Sequence, residues 1–179
     1  EFAYTTALNY LLSQRDYTFS MGDSMIVYWA ESGKEQYQKC FLNMFRPTKD
    51  NQKKLKDIFD SLKEDTKIYL EDAEMDPKQN FYILALAPNA ARLSVRFFYV
   101  NSFGNILQNI AEHYERLKIV KPVWAEQDYL GIRDMLNETV NQKSKDKTPA
   151  PNMAALVLQA ILSGGRYPTS LYANTLIRI

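Results

Sequence analysis

Residues 81–100 most constrain what this chain can fold into, because they hold two β-rich runs separated by a turn signal. The first run, FYILALAP, is almost continuously apolar, and Pro88-Asn89 closes it. The second run, RLSVRFFYV over 92–100, alternates between two faces, because successive side chains of a strand point in opposite directions. The pattern predicts a β-hairpin.

The two faces of the 92–100 strand differ in chemistry. One face holds apolar side chains that we expect to be buried: Leu93, Val95, Phe97 and Tyr99. The other face holds two arginines and an aromatic ring among smaller side chains: Arg92, Ser94, Arg96, Phe98 and Val100. An arginine fork suits phosphate, and a phenyl ring can stack on a base, so this face is a candidate surface for a polyanion. The alternative is that helices cover the face and the arginines pair with local acids.

Before this hairpin, the pattern predicts a short helix over 4–14 and a first hairpin over 17–30 that turns at Gly22-Asp23. A second helix is predicted after Pro47. Residues 67–79 are interpreted as a short strand followed by an acidic loop. The core face of the second helix repeats at helical spacing through Leu55, Ile58, Phe59 and Leu62.

After the hairpin, Ser102 is expected to cap a strong helix over 103–119. Residues 128–140 are predicted to be helical, and 141–151 form a polar, lysine-rich loop. A helix over 152–165 ends at two glycines, and another begins at Thr169.

The predicted fold class is α+β, with a small, mainly antiparallel sheet built from two hairpins and packed helices, followed by a helical C-terminal part. We expect an α+β domain over 1–121 and a helical segment over 122–179 that contains the basic loop 141–151 and is truncated at its end.

Charge is unevenly distributed along the 179 residues. The whole chain carries a formal net charge of only +1, which does not by itself indicate a nucleic-acid binder. Residues 139–179 nevertheless hold five basic side chains against one acid, Asp146: Lys143, Lys145, Lys147, Arg166 and Arg178. This excess points to an anionic partner for the C-terminal part.

Cys40 is the single cysteine, so an intrachain disulfide is excluded and a reducing cytoplasmic setting is expected. The sequence shows no apolar run near the ~20 residues of a membrane helix and no signal-peptide pattern. We expect no membrane partner, and we interpret the chain as an interior piece of a longer protein.

The lysine loop is the leading candidate for contact with a nucleic-acid backbone. Lys143, Lys145 and Lys147 alternate in a loop without apolar anchors, so an extended conformation would aim all three to one side. In SGGRYPTS, residues 163–170, two glycines and Arg166 precede a helix start, where backbone N–H groups could hold a phosphate. A solvated loop and a plain helix–turn–helix connection remain the alternatives for these two segments.

Enzyme chemistry has little support in the sequence, and no catalytic residue, metal or cofactor is predicted. One acidic cluster could bind a metal but fits no EF-hand spacing, and an acidic surface loop is the alternative: Glu71, Asp72, Glu74 and Asp76. His113, the single histidine, flanks an apolar helix stripe and is interpreted as structural. Cys40 is interpreted as a buried or inert thiol, although Cys40 and His113 could formally supply a nucleophile and a base.

Long blocks of the sequence resemble one protein family from end to end. These blocks are ALNYLL (7–12), GDSMIVYWAES (22–32), FYILALAPNAARLSVRFFYVNSFG (81–104), TVNQKSKDKTPAP (139–151) and ILSGGRYPTSLYANTLIRI (161–179). They resemble the large subunit of the type I-C CRISPR Cascade complex.

The resemblance implies a non-catalytic protein of prokaryotic antiviral defence within a complex that carries a guide RNA. Its implied partners are the other Cascade subunits, target double-stranded DNA near the protospacer-adjacent motif, the displaced single strand, and a separate helicase–nuclease. We expect Lys143, Lys145, Lys147 and Arg166 to contact the DNA backbone, with Arg92 and Arg96 next. The alternatives are a purely protein–protein docking module and a metal-dependent nuclease.

Overall fold

Four antiparallel strands in the order β1-β2-β3-β4 form one sheet, with helices packed against it. The computed structural model describes residues 6, 9–10, 13, 17–21, 24–45, 52–89, 92–120, 153–166, 169–170 and 173. In chain order the elements are β1 (Thr18–Met21), β2 (Ser24–Ala30), α1 (Glu35–Phe45), α2 (Gln52–Asp72), β3 (Asn80–Asn89), β4 (Arg92–Ser102), α3 (Phe103–Val120) and α4 (Met153–Ser163). This mixed architecture confirms the predicted α+β class.

Both predicted hairpins are present as strand pairs. Met21 pairs with Ser24 at the end of the first hairpin, and the predicted turn residues between them lie outside the described part of the chain. Ile83 pairs with Tyr99 in the second hairpin, β3–β4. The two hairpins join through β2 and β3, where Trp29 pairs with Tyr82.

A cluster of aromatic rings joins one face of the sheet to the helices. The Phe81 ring on β3 lies 5.0 Å from Phe41 of α1 and 5.0 Å from Phe103 of α3, centroid to centroid. Tyr28 of β2 lies 4.9 Å from Phe41. All four rings are fully buried, and such pairs add to the burial of their area because ring edges and faces attract. This cluster makes one side of the sheet the helix-packed face.

Helix α3 follows its sequence prediction closely. The Ser102 hydroxyl accepts a hydrogen bond from the Asn105 backbone N–H at 3.4 Å, as expected for a helix N-cap. Gly104 lies against Pro77, where an added Cβ would come within 3.0 Å of the proline ring. The buried stripe of α3 contains Phe103, Ile106, Leu107, Ile110, Ala111 and Tyr114.

Helix α1 is a structural element that the sequence interpretation missed. Its buried residues Tyr37, Phe41, Met44 and Phe45 recur at spacings of four, three and one, which form one helical face. The signal was therefore present in the sequence between the first hairpin and Pro47.

The strand predicted at the start of 67–79 is wrong, because residues 67–72 belong to α2. Asp65 has extended backbone angles that kink the helix, and its carboxylate then caps the next turn. Asp65 Oδ1 accepts hydrogen bonds from the N–H groups of Lys67 at 2.9 Å and Ile68 at 3.1 Å. The helix restarts at this cap, and Leu70 enters the core.

Helix α4 shares the hydrophobic core of the sheet and the other helices, through residues that include Leu158, Ile161 and Leu162. In the predicted 4–14 helix the described residues, 6, 9–10 and 13, are helical, as are 169–170 and 173 near the other end of the chain. The predicted helix over 128–140 and the boundary between 121 and 122 lie outside the described residues. No helix within the described ranges is long and apolar enough to cross a bilayer.

His113 should make the fold less stable in acid. It is buried on α3, and desolvation, helped by the nearby Arg116 cation, lowers the pKa of its imidazole from 6.5 to about 4. Between pH 6.5 and about 4, the unfolded chain therefore binds a proton at His113 that the folded chain does not bind. The free energy of unfolding should fall as the pH drops from about 6.5 to about 4, by at most ~3 kcal/mol.

Urea denaturation of the wild type and His113→Asn between pH 7.5 and 4 measures this contribution. The variant should be less sensitive to pH over this window. Parallel stability profiles for the two proteins would show that His113 does not carry the effect.

Candidate nucleic-acid interface

A β-bulge at Arg96 changes which side chains of β4 share a face. Ala85 pairs with Phe97 but Leu86 pairs with Val95, so Arg96 is an extra residue on β4. Such a residue interrupts the alternation of the bulged strand. The face pattern expected for 92–100 is therefore wrong on the N-terminal side of the bulge.

Leu93 and Val95 are exposed rather than buried, at 39% and 63%. They pair with alternate residues of β3 and lie on the same face as Phe98 and Val100, which we call the second face. We call Leu93, Val95, Phe98 and Val100 together the β4 strip. Val27 of β2 and Leu86 of β3 also lie on the second face but are buried, so the exposure of this face increases towards β4.

Three aromatic rings adjoin on the second face. Trp29 and Tyr82 lie 5.3 Å apart with planes only 6° from parallel. Phe98 lies 6.4 Å from Trp29 and 6.3 Å from Tyr82, with interplanar angles of 28° and 22°. Phe98 is more than half exposed, so this group presents an accessible ring of the kind that can stack on a base or pack against an apolar side chain.

The two strand arginines occupy different positions in β4. Arg92 pairs through its backbone with Asn89 at the start of the strand, and its side chain lies outside the described part of the structure. Arg96 is the bulge residue and is half-buried. Because of the bulge, Arg96 and Phe98 do not form the regular two-residue repeat that the sequence suggested.

Arg166 is an exposed cation beside the C-terminus of α4. Gly164 adopts a left-handed φ of 66°, and its N–H donates to the Ile161 carbonyl at 3.2 Å. The Gly165 N–H donates to the Ala160 carbonyl at 2.9 Å. The two glycines thus end the helix as predicted, and the chain turns out to Arg166, which makes no ion pair with another described residue.

Hydrogen bonds tie this turn to the sheet. The Leu162 carbonyl accepts from the Tyr99 hydroxyl at 3.1 Å and from Asn109 Nδ2 at 2.7 Å. Since Leu162 is in the last turn of α4, Tyr99 of β4 and Asn109 of α3 fix where α4 ends. Arg166 follows this fixed point by four residues.

Residues 141–151, which include Lys143, Lys145 and Lys147, lie outside the described residues. Their proposed contact with a phosphate backbone stays a prediction. The same holds for a phosphate at the helix start after Arg166, because residues 167–168 also lie outside the described part.

Two of the four residues of the acidic cluster, Glu71 and Asp76, make local interactions. Glu71 pairs with Lys67 at 3.7 Å, and Asp76 Oδ1 accepts from the Lys78 N–H at 2.9 Å. Across the described residues, no group of three or more His, Cys, Asp and Glu side chains could hold a metal ion.

Burial determines the protonation state of the single thiol. It raises the pKa of Cys40 to about 12, so the thiol stays protonated at neutral pH and lacks the thiolate that a nucleophile needs. The imidazole of His113 is also buried, on α3, and its pKa is lowered to about 4.

A cavity of about 1020 Å³ lies between α2, the loop before β3, and α3. Its charged lining mixes both signs, with Glu64, Asp65, Glu112 and Glu115 beside Lys67, Lys78 and Arg116. This mixture favours neither an anion nor a cation.

The sequence model of one protein family, the CRISPR-associated protein family Cas_Csd1, matches residues 1–179. This α+β chain therefore belongs to the Cas_Csd1 family of CRISPR-associated proteins. A search of curated proteins found no match to the chain.

Gly164→Ala should destabilise the turn that carries Arg166. A Cβ at position 164 would meet Asn109 Oδ1 at 2.9 Å, on a backbone whose positive φ already disfavours L side chains. We expect a loss of about 1–3 kcal/mol in the free energy of unfolding. Chemical denaturation measures it.

Gly165→Ala is the matched control, because its φ is not left-handed and its Cβ would meet the exposed Ser163 hydroxyl at 3.1 Å. Its loss should be clearly smaller. Equal losses for the two variants would contradict the assigned role of Gly164.

Proposed function

We propose that this chain is a non-catalytic segment of the large subunit of a type I-C CRISPR Cascade complex, contributing to target DNA binding and to assembly of the complex in the cytoplasm. The match of the Cas_Csd1 family to residues 1–179 carries this proposal. The long blocks that resemble the large subunit support the finer assignment. Its partners are the other subunits, the guide RNA, target double-stranded DNA, the displaced single strand, and a separate helicase–nuclease.

The proposed chemistry at the DNA is charge neutralisation. Lysine and arginine side chains that contact phosphates release condensed counterions, which provides affinity without reading sequence. The guide RNA then supplies sequence recognition by base pairing. Exposed Arg166 fits such a role, because it has no ion pair within the described structure and follows the end of α4 that Tyr99 fixes.

Lys143, Lys145 and Lys147 are the leading phosphate contacts in this proposal, followed by Arg166, then Arg92 and Arg96. Arg96 ranks lower because it is half-buried at the bulge. The lysines rank first on sequence grounds, since they alternate in a polar loop and fall within one of the blocks that resemble the large subunit.

A docking module without DNA contact is the second candidate function. The exposed apolar β4 strip favours it, because a monomeric soluble surface rarely keeps large apolar side chains together. The metal-dependent nuclease has no supporting geometry among the described residues, where the acids make local hydrogen bonds and an ion pair.

Replacing Lys143, Lys145 and Lys147 together by alanine should weaken binding of target duplex DNA and flatten its salt dependence. Loss of three phosphate contacts reduces the log–log slope by about 2.7, at ~0.9 per phosphate. The measurement is DNA affinity of the reconstituted complex over a series of salt concentrations.

Lys39, Lys67 and Lys78, replaced together by alanine, are the matched control. These three lysines are exposed, and replacing them removes as much positive charge as the loop variant does. Two of them, Lys39 and Lys67, already pair with Glu35 and Glu71. The control should leave the slope unchanged. An unchanged slope for the loop variant in an intact complex would remove the lysine loop from the DNA path.

Arg166→Ala should reduce the same slope by about 0.9, since one phosphate contact is lost. Gly165→Ala in the same turn keeps the cation and serves as its control. Weaker binding with an unaltered slope would argue that Arg166 acts through structure rather than through a phosphate.

A further inference from the structure

Exposed apolar side chains are concentrated on one strand face. Of the seven large apolar side chains exposed in the described residues, four form the β4 strip. The other three, Tyr10, Ile68 and Leu156, lie on separate segments. Since isolated exposed apolar residues are normal but contiguous ones mark interaction sites, the β4 strip calls for an occupant.

Beside the strip, the described second-face side chains of β2 and β3 carry no charge. The described second-face side chains of β2 and β3 are apolar or aromatic: Met25, Val27, Trp29, Tyr82, Leu84 and Leu86. Arg96 at the bulge is half-buried. Surfaces that bind single-stranded nucleic acid combine aromatic rings with a cationic groove, and the described side chains of β2 and β3 on this face provide only the rings. Charge complementarity therefore favours an occupant whose contacting face is itself uncharged and apolar.

The geometry of β4 favours an α-helix over an added β-strand as that occupant. β4 is an edge strand of the described sheet, and its bulge disrupts the regular ladder that an added strand would need. The strip lies opposite six residue steps of β3, from Tyr82 to Pro88, because the bulge residue adds no length to the ladder. At ~3.3 Å a step this is about 20 Å, the length of about 13 residues of α-helix, and two strand spacings match a helix diameter of ~10 Å.

We propose that the β4 strip, with the rings of Trp29 and Tyr82 beside it, docks the uncharged apolar face of an α-helix from another protein. Phe98 is the anchor, because it combines high exposure with contacts to both neighbouring rings. This inference rests on the assembly part of the proposed function and names the surface that performs it. It is independent of the phosphate contacts.

Phe98→Lys and Val95→Lys should each weaken incorporation of the full-length protein into the reconstituted complex by about tenfold or more, because a cation would be placed in an apolar contact. Native mass spectrometry over a titration of the protein against the other subunits measures incorporation. Ile68→Lys is the matched control, since Ile68 is 56% exposed and Phe98 is 55% exposed. The control should incorporate like the wild type.

Hydrogen exchange of the wild type gives a second measurement that needs no variant. The amides of residues 93–100 should become more protected in the complex than in the free protein. Thermal melts check that the lysine variants remain folded.

Normal incorporation of both β4 variants, or unchanged exchange of 93–100 on assembly, would overturn the inference. So would normal incorporation with weaker binding of single-stranded DNA, which would assign the rings to bases. Self-association that only the β4 variants abolish would also overturn it, in favour of a second copy. A wild-type protein that does not enter the complex at all would instead refute the proposed function.

Discussion

The packing of Phe81 against both Phe41 and Phe103 is the contact on which the rest of the structure depends. These rings come from β3, α1 and α3, so one side chain joins the centre of the sheet to two helices. Tyr28 extends the cluster into β2. Once this face is closed by helices, alternate side chains of every strand must lie on the second face. The core therefore determines which face of the sheet is the second face.

The bulge at Arg96 determines which side chains of β4 lie on the second face. Without an extra residue, strict alternation from Phe98 and Val100 would place Arg96, Ser94 and Arg92 on the second face. The shift in register brings Val95 opposite Leu86 instead, and the face becomes apolar on both sides of the bulge. One inserted residue thus brings Leu93 and Val95, in place of Arg92 and Ser94, onto the face of Phe98 and Val100, which changes the chemistry of the partner that the face suits.

Local patterns predicted the elements whose signal is confined to a few neighbouring residues. The two hairpins, the Ser102 cap and the glycine end of α4 are of this kind. Residues 67–72 were misjudged, because the capping role of Asp65 depends on a kink that propensity does not reveal. Helix α1 was missed despite its periodicity. The bulge depends on pairing between strands, so alternation within 92–100 could not reveal it. The glycine stop before Arg166 could be predicted locally, whereas the hydrogen bonds from Tyr99 and Asn109 to Leu162 are tertiary contacts.

The two proposed kinds of contact require opposite surroundings, and the exposed cation Arg166 and the β4 strip lie on different segments of the chain. Phosphate contacts need cations that stay hydrated until DNA arrives, which suits an exposed residue beyond a helix end such as Arg166. Helix docking needs a surface without charge, because an unpaired cation buried there would be desolvated without compensation. Tyr99 links these regions: its ring belongs to the packed side of β4, and its hydroxyl fixes the end of α4. A partner that covers the β4 strip would therefore contact the same strand whose Tyr99 hydroxyl fixes the end of α4, from which the chain continues to Arg166.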